Sequence, residues 1–425
     1  MPIPDLILFT RAFPFGNAES FLETEVDYLA EAFSHAWIVP RSVDGRSRPV
    51  PRGVLVDTSL AERHRRAGRK LAKAARVLSP MLVRDVLARG RTGLNQRAWR
   101  RALEFRASAA RAEKWLQDRL APLERAGCKP VLYSYWLQPE TLAAVLFKRH
   151  DPRVVVATRA HGGDLYEHRH EPSYLPFRPA IFAGADRVYC VSEHGRRYLA
   201  ERYPQYEDRF RLARLGVDAP GFVTSPSRDG RFRIVSCSFM VPLKRIDLLI
   251  DSIAEFAGRR PSGQVVWHHI GDGPKRMELE AHCRARLGDH VEWRLLGALP
   301  NADVIAYYRA HPVDAFVNVS ASEGVPVSIM EAQSCGIPVI ATAVGGTPEI
   351  VNDDNGILLP EDPDPPCVAR ALEKLASDPE RAARWRGASR ATWAACCDAG
   401  RNYRDFAREL HALRGAPVPP ARASR

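Results

Sequence analysis

The chain has 425 residues, 45% of them hydrophobic and 26% charged, with a formal net charge of +12. This composition is that of a globular protein, and the length exceeds one compact core and suits two domains of about 200 residues each. The positive balance points to anionic partners such as nucleic acid, anionic lipid or phosphorylated substrates. Eight scattered cysteines without a Cys-x-x-Cys pair indicate neither a zinc site nor a redox dithiol, and a secreted disulfide framework is not expected.

Asp5 to Phe9 reads as a first strand. It is not preceded by a basic and then apolar leader, and no run approaches the ~20 apolar residues of a membrane-spanning helix. A cytoplasmic protein is therefore expected, either soluble or peripheral on the inner face of the membrane. The loop from Thr10 to Ser20 contains Phe13-Pro14-Phe15-Gly16-Asn17, and a helix begins near Phe21. A glycine-bearing loop at the carboxyl end of a first strand is a common ligand position in α/β sheets. It lacks Gly-x-Gly-x-x-Gly, so a nicotinamide cofactor is not supported.

From Glu62 to Arg125 the pattern is helical and crowded with arginine, interleaved with apolar residues such as Leu82, Trp99, Leu103, Trp115 and Leu116. Such a stretch suits an anionic membrane surface, nucleic acid, or a merely solvated basic face. Val131 to Tyr135 is the next strand, a helix starts at Pro139, and Val154 to Thr158 is another strand. That strand runs into Arg159-Ala160-His161-Gly162-Gly163-Asp164-Leu165-Tyr166, which places His161 as a candidate functional residue. His168 and His170 lack a metal-ligand spacing. Val188 to Val191 is a short strand, and Ser192 is placed to cap the following helix. Prolines and serines are dense from Pro220 to Ser227, where a domain boundary is expected.

The second half opens with strand Phe232 to Ser236, followed by Val241-Pro242-Leu243-Lys244-Arg245 and an apolar helix face. Strands Val265 to Ile270 and Val291 to Leu296 follow, the first ending in Gly271-Asp272-Gly273-Pro274. Asp362-Pro363-Asp364 is formally Asp-x-Asp, but it sits in a proline-rich loop and not at a strand end, so no metal site is expected. Arg401 to Leu413 is a last amphipathic helix, and the proline-bearing tail, 414–425, is expected to be disordered.

The most informative segment is Ser322 to Glu349. Apolar runs Asp314 to Val319 and Ile337 to Ala341 bracket Glu323-Gly324-Val325-Pro326-Val327 and Glu331, giving strand, tight loop, helix, strand. Unpaired N–H groups and the dipole at such a helix start form an anion site that a nucleotide diphosphate fits. Glu331 lies about two turns along, where its carboxylate can accept bonds from two ribose hydroxyls. Glu323, before the turn, is placed to meet sugar hydroxyls.

Both glutamates, the Gly-x-Pro, Gly336-Ile337-Pro338-Val339 and Gly345-Gly346-Thr347-Pro348-Glu349 together resemble the signature of retaining GT-B-fold glycosyltransferases of the GT4 type. The Arg159 to Tyr166 run resembles the branch that builds bacterial exopolysaccharide, including colanic-acid-type enzymes. The resemblance implies an α/β chain of two Rossmann-like domains facing across a cleft. An acceptor-binding domain would occupy 1–218, with a basic helical insert at about 60–125. A nucleotide-sugar domain would occupy 228–395, and a helix at 398–413 would cross back to the first. The function implied is sugar transfer from a nucleotide-diphosphate sugar to a glycan or lipid-linked acceptor in cell-surface polysaccharide synthesis, with retention and without a metal or other cofactor. His161, Glu323 and Lys244 would be catalytic. Gly16, Arg245, Gly324, Val325, Pro326, Val327 and Glu331 would bind the donor, and Asp164 the acceptor. Two departures stand out: Phe239 occupies the position of the family's phosphate-binding arginine, and Arg245 that of a glycine. Arg245 is expected to restore the missing charge. The competing reading is a basic, catalytically degenerate protein of the same fold that binds a membrane or nucleic acid. Nucleic acid is the less expected partner.

Overall fold

A computed structural model describes residues 4–16, 19, 21–66, 80–88, 95–120 and 129–415. The expected disordered tail and parts of the arginine-rich stretch fall largely outside the described residues. The chain divides into two compact units, Met1–Ala213 with Tyr403–Arg425, and Arg214–Asn402.

The first unit is built on a seven-stranded sheet in the order β3-β2-β1-β4-β5-β6-β7. Its strands are β1 (Leu6–Thr10), β2 (Ala36–Pro40), β3 (Val54–Val56), β4 (Val131–Ser134), β5 (Val155–Ala160), β6 (Arg187–Cys190) and β7 (Phe210–Leu212). All pairs are parallel. Every residue of β1, β2, β4 and β5 is buried, as a parallel strand covered on both faces requires. The Gln96–Leu120 helix buries Ala102, Ala109, Ala112, Trp115 and Leu116 in this core. The apolar stripe that suited a membrane thus faces inward, while Arg97 and Arg100 on the same helix are largely exposed.

The second unit carries β8 (Phe232–Cys237), β9 (Val265–Ile270), β10 (Val291–Leu295), β11 (Ala315–Asn318), β12 (Val339–Thr342) and β13 (Gly356–Leu359). Their order is β10-β9-β8-β11-β12-β13, again parallel throughout. In both sheets the strand order reverses beside the first strand, between β1 and β4 and between β8 and β11. Ligands of open parallel sheets bind outside the carboxyl ends of the strands at that switch point.

The chain leaves and re-enters the second unit along paired segments. Val217 bridges Asp398, and its carbonyl also accepts from the Trp393 indole at 3.1 Å. A Cβ on Gly216 would lie 2.5 Å from Ala399 Cα, so only glycine permits this approach. The Ala399–Ala412 helix then supplies Tyr403, Phe406 and Leu410 to the buried core of the first unit. Phe406 packs on Tyr133 and Tyr189, with ring centroids at 5.3 and 5.0 Å, and Arg159 lies 4.0 Å above its ring.

Candidate functional site

In the second unit the loops after β8 and β11 meet at the switch point. The Ala321 amide donates to the Leu243 carbonyl at 2.9 Å, tying the two loops together. The Lys244 ammonium forms an ion pair with Glu323, and both side chains are largely buried. Asn318, at the end of β11, donates to the same Glu323 oxygen at 3.4 Å. The helix Val327–Ser334 begins immediately after Gly324-Val325-Pro326. The Ile329 and Met330 amides donate to the Pro326 carbonyl, and the Val327 and Ser328 amides that open the helix have no intrahelical carbonyl to bond and follow closely on Glu323.

Glycines set the shape of this loop. Gly345 has φ +55°, and a Cβ there would come within 1.9 Å of the Glu323 carbonyl oxygen. The next amide, Gly346, donates to the Gly324 carbonyl at 2.7 Å. The loop after β12 therefore fixes the backbone that carries Glu323. Gly271 and Gly273, after β9, pack instead on the loop after β8: a Cβ on the first would strike Ser238 and on the second Met240. Phe239, between those two residues, is 70% exposed.

Because the helix starts only at Val327, Glu331 lies about one turn into it, nearer its start than expected. Glu331 is buried and accepts a hydrogen bond from the Asn301 amide nitrogen. Burial pushes its carboxyl up to about 7, with the Asn301 bond opposing. A group whose folded value is raised is protonated by folding. Its contribution is therefore full below about 4.5, the unfolded value, and is lost as pH rises toward about 7. Thermal stability is expected to fall between pH 5 and 7.5 in the wild type and to fall less in Glu331→Gln. Two hydroxyl donors are matched best by a carboxylate with two acceptor oxygens. If Glu331 holds two ribose hydroxyls, as the resemblance implies, nucleotide affinity should tighten over the same pH range, which isothermal titration at several pH values would measure.

Arg245 does not supply the free charge expected of it. Its backbone is left-handed, with φ +47°, which explains why a glycine suits this position. Its guanidinium donates to the carbonyls of Val319 (2.6 Å), Ser320 (3.1 Å) and Glu361 (2.8 Å), and to Asp362 (2.9 Å). The residue clamps the loop that leads to Glu323. Carbonyls just after β11 need donors, and the guanidinium supplies one to Val319 and, beside the Thr342 hydroxyl, one to Ser320. Arg245→Gly keeps the backbone conformation and removes the clamp, and a loss of about 1–3 kcal/mol is expected in denaturant titration. Asp362 and Asp364 are likewise engaged, the first with Arg245 and the second capping the Pro365–Ala376 helix through the Cys367 amide.

In the first unit His161 follows β5 and lies among aromatic rings. Its centroid is 4.3 Å from Trp136, 4.9 Å from Tyr135 and 6.2 Å from Phe21. Both ring nitrogens are buried without a hydrogen-bond partner among the described residues. Asp164 is not an open acceptor contact. Its carboxylate accepts from the amides of His161 (2.6 Å) and Leu137 (2.7 Å) and lies 3.9 Å from the imidazole. Burial alone would raise its carboxyl, but His161, Arg178 and the Leu137 amide together hold it lowered. It fixes the start of the turn that carries His161. Gly16 is also structural: its amide donates to the Arg46 carbonyl at 3.0 Å, and a Cβ would lie 2.9 Å from the Asp44 carbonyl oxygen. It closes the first loop onto the β2–β3 loop, and its own amide is taken. His170 bonds the Gly163 carbonyl at 2.7 Å.

Residues 231–378, which hold Lys244, Glu323 and Glu331, match the family model described as "Glycosyl transferases group 1". The second unit is a group 1 glycosyltransferase domain. Among relatives of the chain, a phosphatidylinositol N-acetylglucosaminyltransferase subunit from Arabidopsis thaliana is 33% identical over 198 residues, 46% of this chain and 42% of that protein. The D-inositol 3-phosphate glycosyltransferase of Frankia alni is 29% identical over 265 residues, 58% of this chain and 65% of that protein. The matches thus span less than two thirds of either relative. Among solved structures, Anabaena HepE in complex with UDP superposes with a TM-score of 0.65 at 17% identity, covering 96% of this chain and all of that one. Sucrose-phosphate synthase from Thermosynechococcus elongatus gives a TM-score of 0.65 at 18% identity, covering 97% and 99%. The glycosyltransferase domain and its partner unit therefore have the GT-B fold, two parallel-sheet Rossmann-like units, as the sequence implied.

Asn318 and Trp136 do not stand out as site residues in the sequence. An asparagine at the end of an apolar strand, as Asn318 is, is the one signal on offer.

Proposed function

We propose that the protein is a glycosyltransferase that moves a sugar from a nucleoside-diphosphate sugar to a hydroxyl acceptor with retention of configuration. The observation that carries this reading is the convergence of Lys244, Glu323 and a helix N-terminus at one switch point, with Glu331 on the same helix. The diphosphate would take Lys244 from its pairing with Glu323 and receive the first-turn amides. Glu323 is then released to meet sugar hydroxyls, and Glu331 holds the ribose. As the anomeric C–O bond to the diphosphate breaks, the acceptor oxygen bonds to the same face, and its proton passes to the departing phosphate oxygen. Lys244 and the helix dipole stabilise the charge that develops. This cationic and dipolar set supports transfer without a divalent metal, so activity is expected to persist with chelator. His161, whose ring is walled by aromatics and whose nitrogens have no hydrogen-bond partner among the described residues, would orient the sugar.

Uridine nucleotides are the first donors to test, because HepE was solved with UDP and with UDP-glucose. A glycan or lipid-linked acceptor in cell-surface polysaccharide synthesis, on the inner face of the membrane, remains our reading of the chain's place. The exposed arginine face of the Gln96–Leu120 helix supports contact with anionic lipid. Sedimentation with vesicles rich in anionic lipid tests this: binding lost at high salt is expected, and no binding at low salt overturns it.

A further inference from the structure

Glu19 is a buried carboxylate of the first unit that the proposed mechanism does not use. It follows β1 in a left-handed conformation, with φ +57°. Its two oxygens accept from the backbone amides of Arg11 (3.0 Å), Ala12 (2.8 Å) and Phe13 (2.8 Å), and from the indole N–H of Trp136. Three successive amides converging on one point form an anion nest at the carboxyl end of β1. In this chain the nest is filled from within. The amides of Arg11, Ala12 and Phe13 are therefore not open to a phosphate, and the nest has a different consequence.

The fourth donor shows what that consequence is. Trp136 follows β4, and its main chain is already held. Its carbonyl accepts from the hydroxyls of Ser134 (2.7 Å), Thr141 (3.1 Å) and Thr158 (3.2 Å), and from the Gln138 amide (2.8 Å). The freedom left to the residue is rotation of its side chain, and the bond from the indole to Glu19 removes it. The indole is then held with its centroid 4.3 Å from the His161 imidazole. His161 is anchored through its amide by Asp164, whereas its ring nitrogens have no hydrogen-bond partner among the described residues. Trp136 stands nearer to the imidazole than Tyr135 or Phe21, and together with the Asp164 carboxylate 3.9 Å away these rings limit where the imidazole points.

We infer that Glu19 is a positioning residue: an internal anion that occupies the first-loop nest and locks Trp136 against His161. For catalysis this rests on the transfer reading above, whereas the lock itself does not. Glu19→Ala and Glu19→Gln are compared with the wild type and with Trp136→Phe in the full chain. Three readouts are used: transfer rate, nucleotide affinity and tryptophan emission.

In Glu19→Ala we expect kcat to fall by ~10- to 100-fold with nucleotide affinity changed less than about twofold, the pattern of a group felt only in the reacting complex. Millimolar formate or acetate should refill the nest and restore both kcat and the wild-type emission. The Trp136→Phe background should show no emission change on adding carboxylate, and the double variant should be no slower than Trp136→Phe alone, because the two residues act as a unit. Wild-type emission in Glu19→Ala, or a full additive loss in the double variant, overturns the lock. If the alanine variant does not fold, the glutamine variant carries the same test through emission and kcat. If the wild type transfers no sugar while carboxylate still restores emission in Glu19→Ala, the transfer reading fails and the lock stands.

Discussion

Replacing Lys244 with alanine is expected to lower kcat by ~10²- to 10³-fold, the usual consequence of removing one group that stabilises developing charge. Lys244 is the cation that the loop after β8 brings to Glu323 and the helix start. Phe239, at the position where the resemblance implies a second phosphate-binding cation, is exposed, and Arg245 is held by carbonyls and Asp362. The loss should therefore fall on one side chain, and Lys244→Arg should recover part of it, since a guanidinium keeps the charge with a different reach. Steady-state kinetics with the cognate donor checks this. A change confined to KM would assign Lys244 to ground-state binding alone.

The second large effect is on stability. Glu25 and Arg159 form an ion pair with both side chains fully buried. Tyr133 donates to Glu25 at 3.3 Å, and Phe406 from the last helix lies under the guanidinium. Burial raises the Glu25 carboxyl even against Arg159, so the pair is held by its geometry inside the core. Glu25→Ala leaves a buried guanidinium uncompensated, and a loss of about 3–5 kcal/mol is expected. Glu25→Leu combined with Arg159→Met should cost much less than either change alone, because both charges are then gone. Urea titration of the single and double variants measures this. Additive losses would show that the pair is not a unit.

How much of this is legible in the sequence depends on how local each feature is. The strand–loop–helix–strand segment around Glu323 and Glu331 is readable because its parts lie within one βαβ unit and its glycines mark real close approaches, as Gly345 against Glu323 shows. Strands β1, β4 to β6, β8, β9 and β11 are readable as apolar runs. Strands β3 and β7 have three residues each, β2 ends in proline, and β13 opens on glycine, so none shows a run long enough to stand out.

Side-chain commitments are the harder part. Arg245 reads as a free cation because nothing in the sequence shows that the carbonyls of Val319, Ser320 and Glu361 converge on it. Gly16 reads as a ligand contact, yet its amide is taken by Arg46, on a loop beyond the next strand. Asp164 reads as an acceptor contact, but the amides it satisfies belong to His161 and to Leu137, which follows a different strand. Glu19 and Trp136 are 117 residues apart, and no spacing rule joins them. Tertiary structure brings such partners together, and local pattern carries no trace of it.

On the proposed function, a nucleoside-diphosphate sugar is held in the second unit by Lys244, Glu323 and Glu331. The most direct test is a panel of nucleotide sugars followed by thermal shift and nucleotide release, with chelator present, for the wild type and Glu331→Ala. One UDP- or GDP-sugar should stabilise the wild type and release its nucleotide, with the shift lost in Glu331→Ala. If no nucleotide or nucleotide sugar moves the wild-type melting point, or if Glu331→Ala responds as the wild type does, the donor site described here is contradicted.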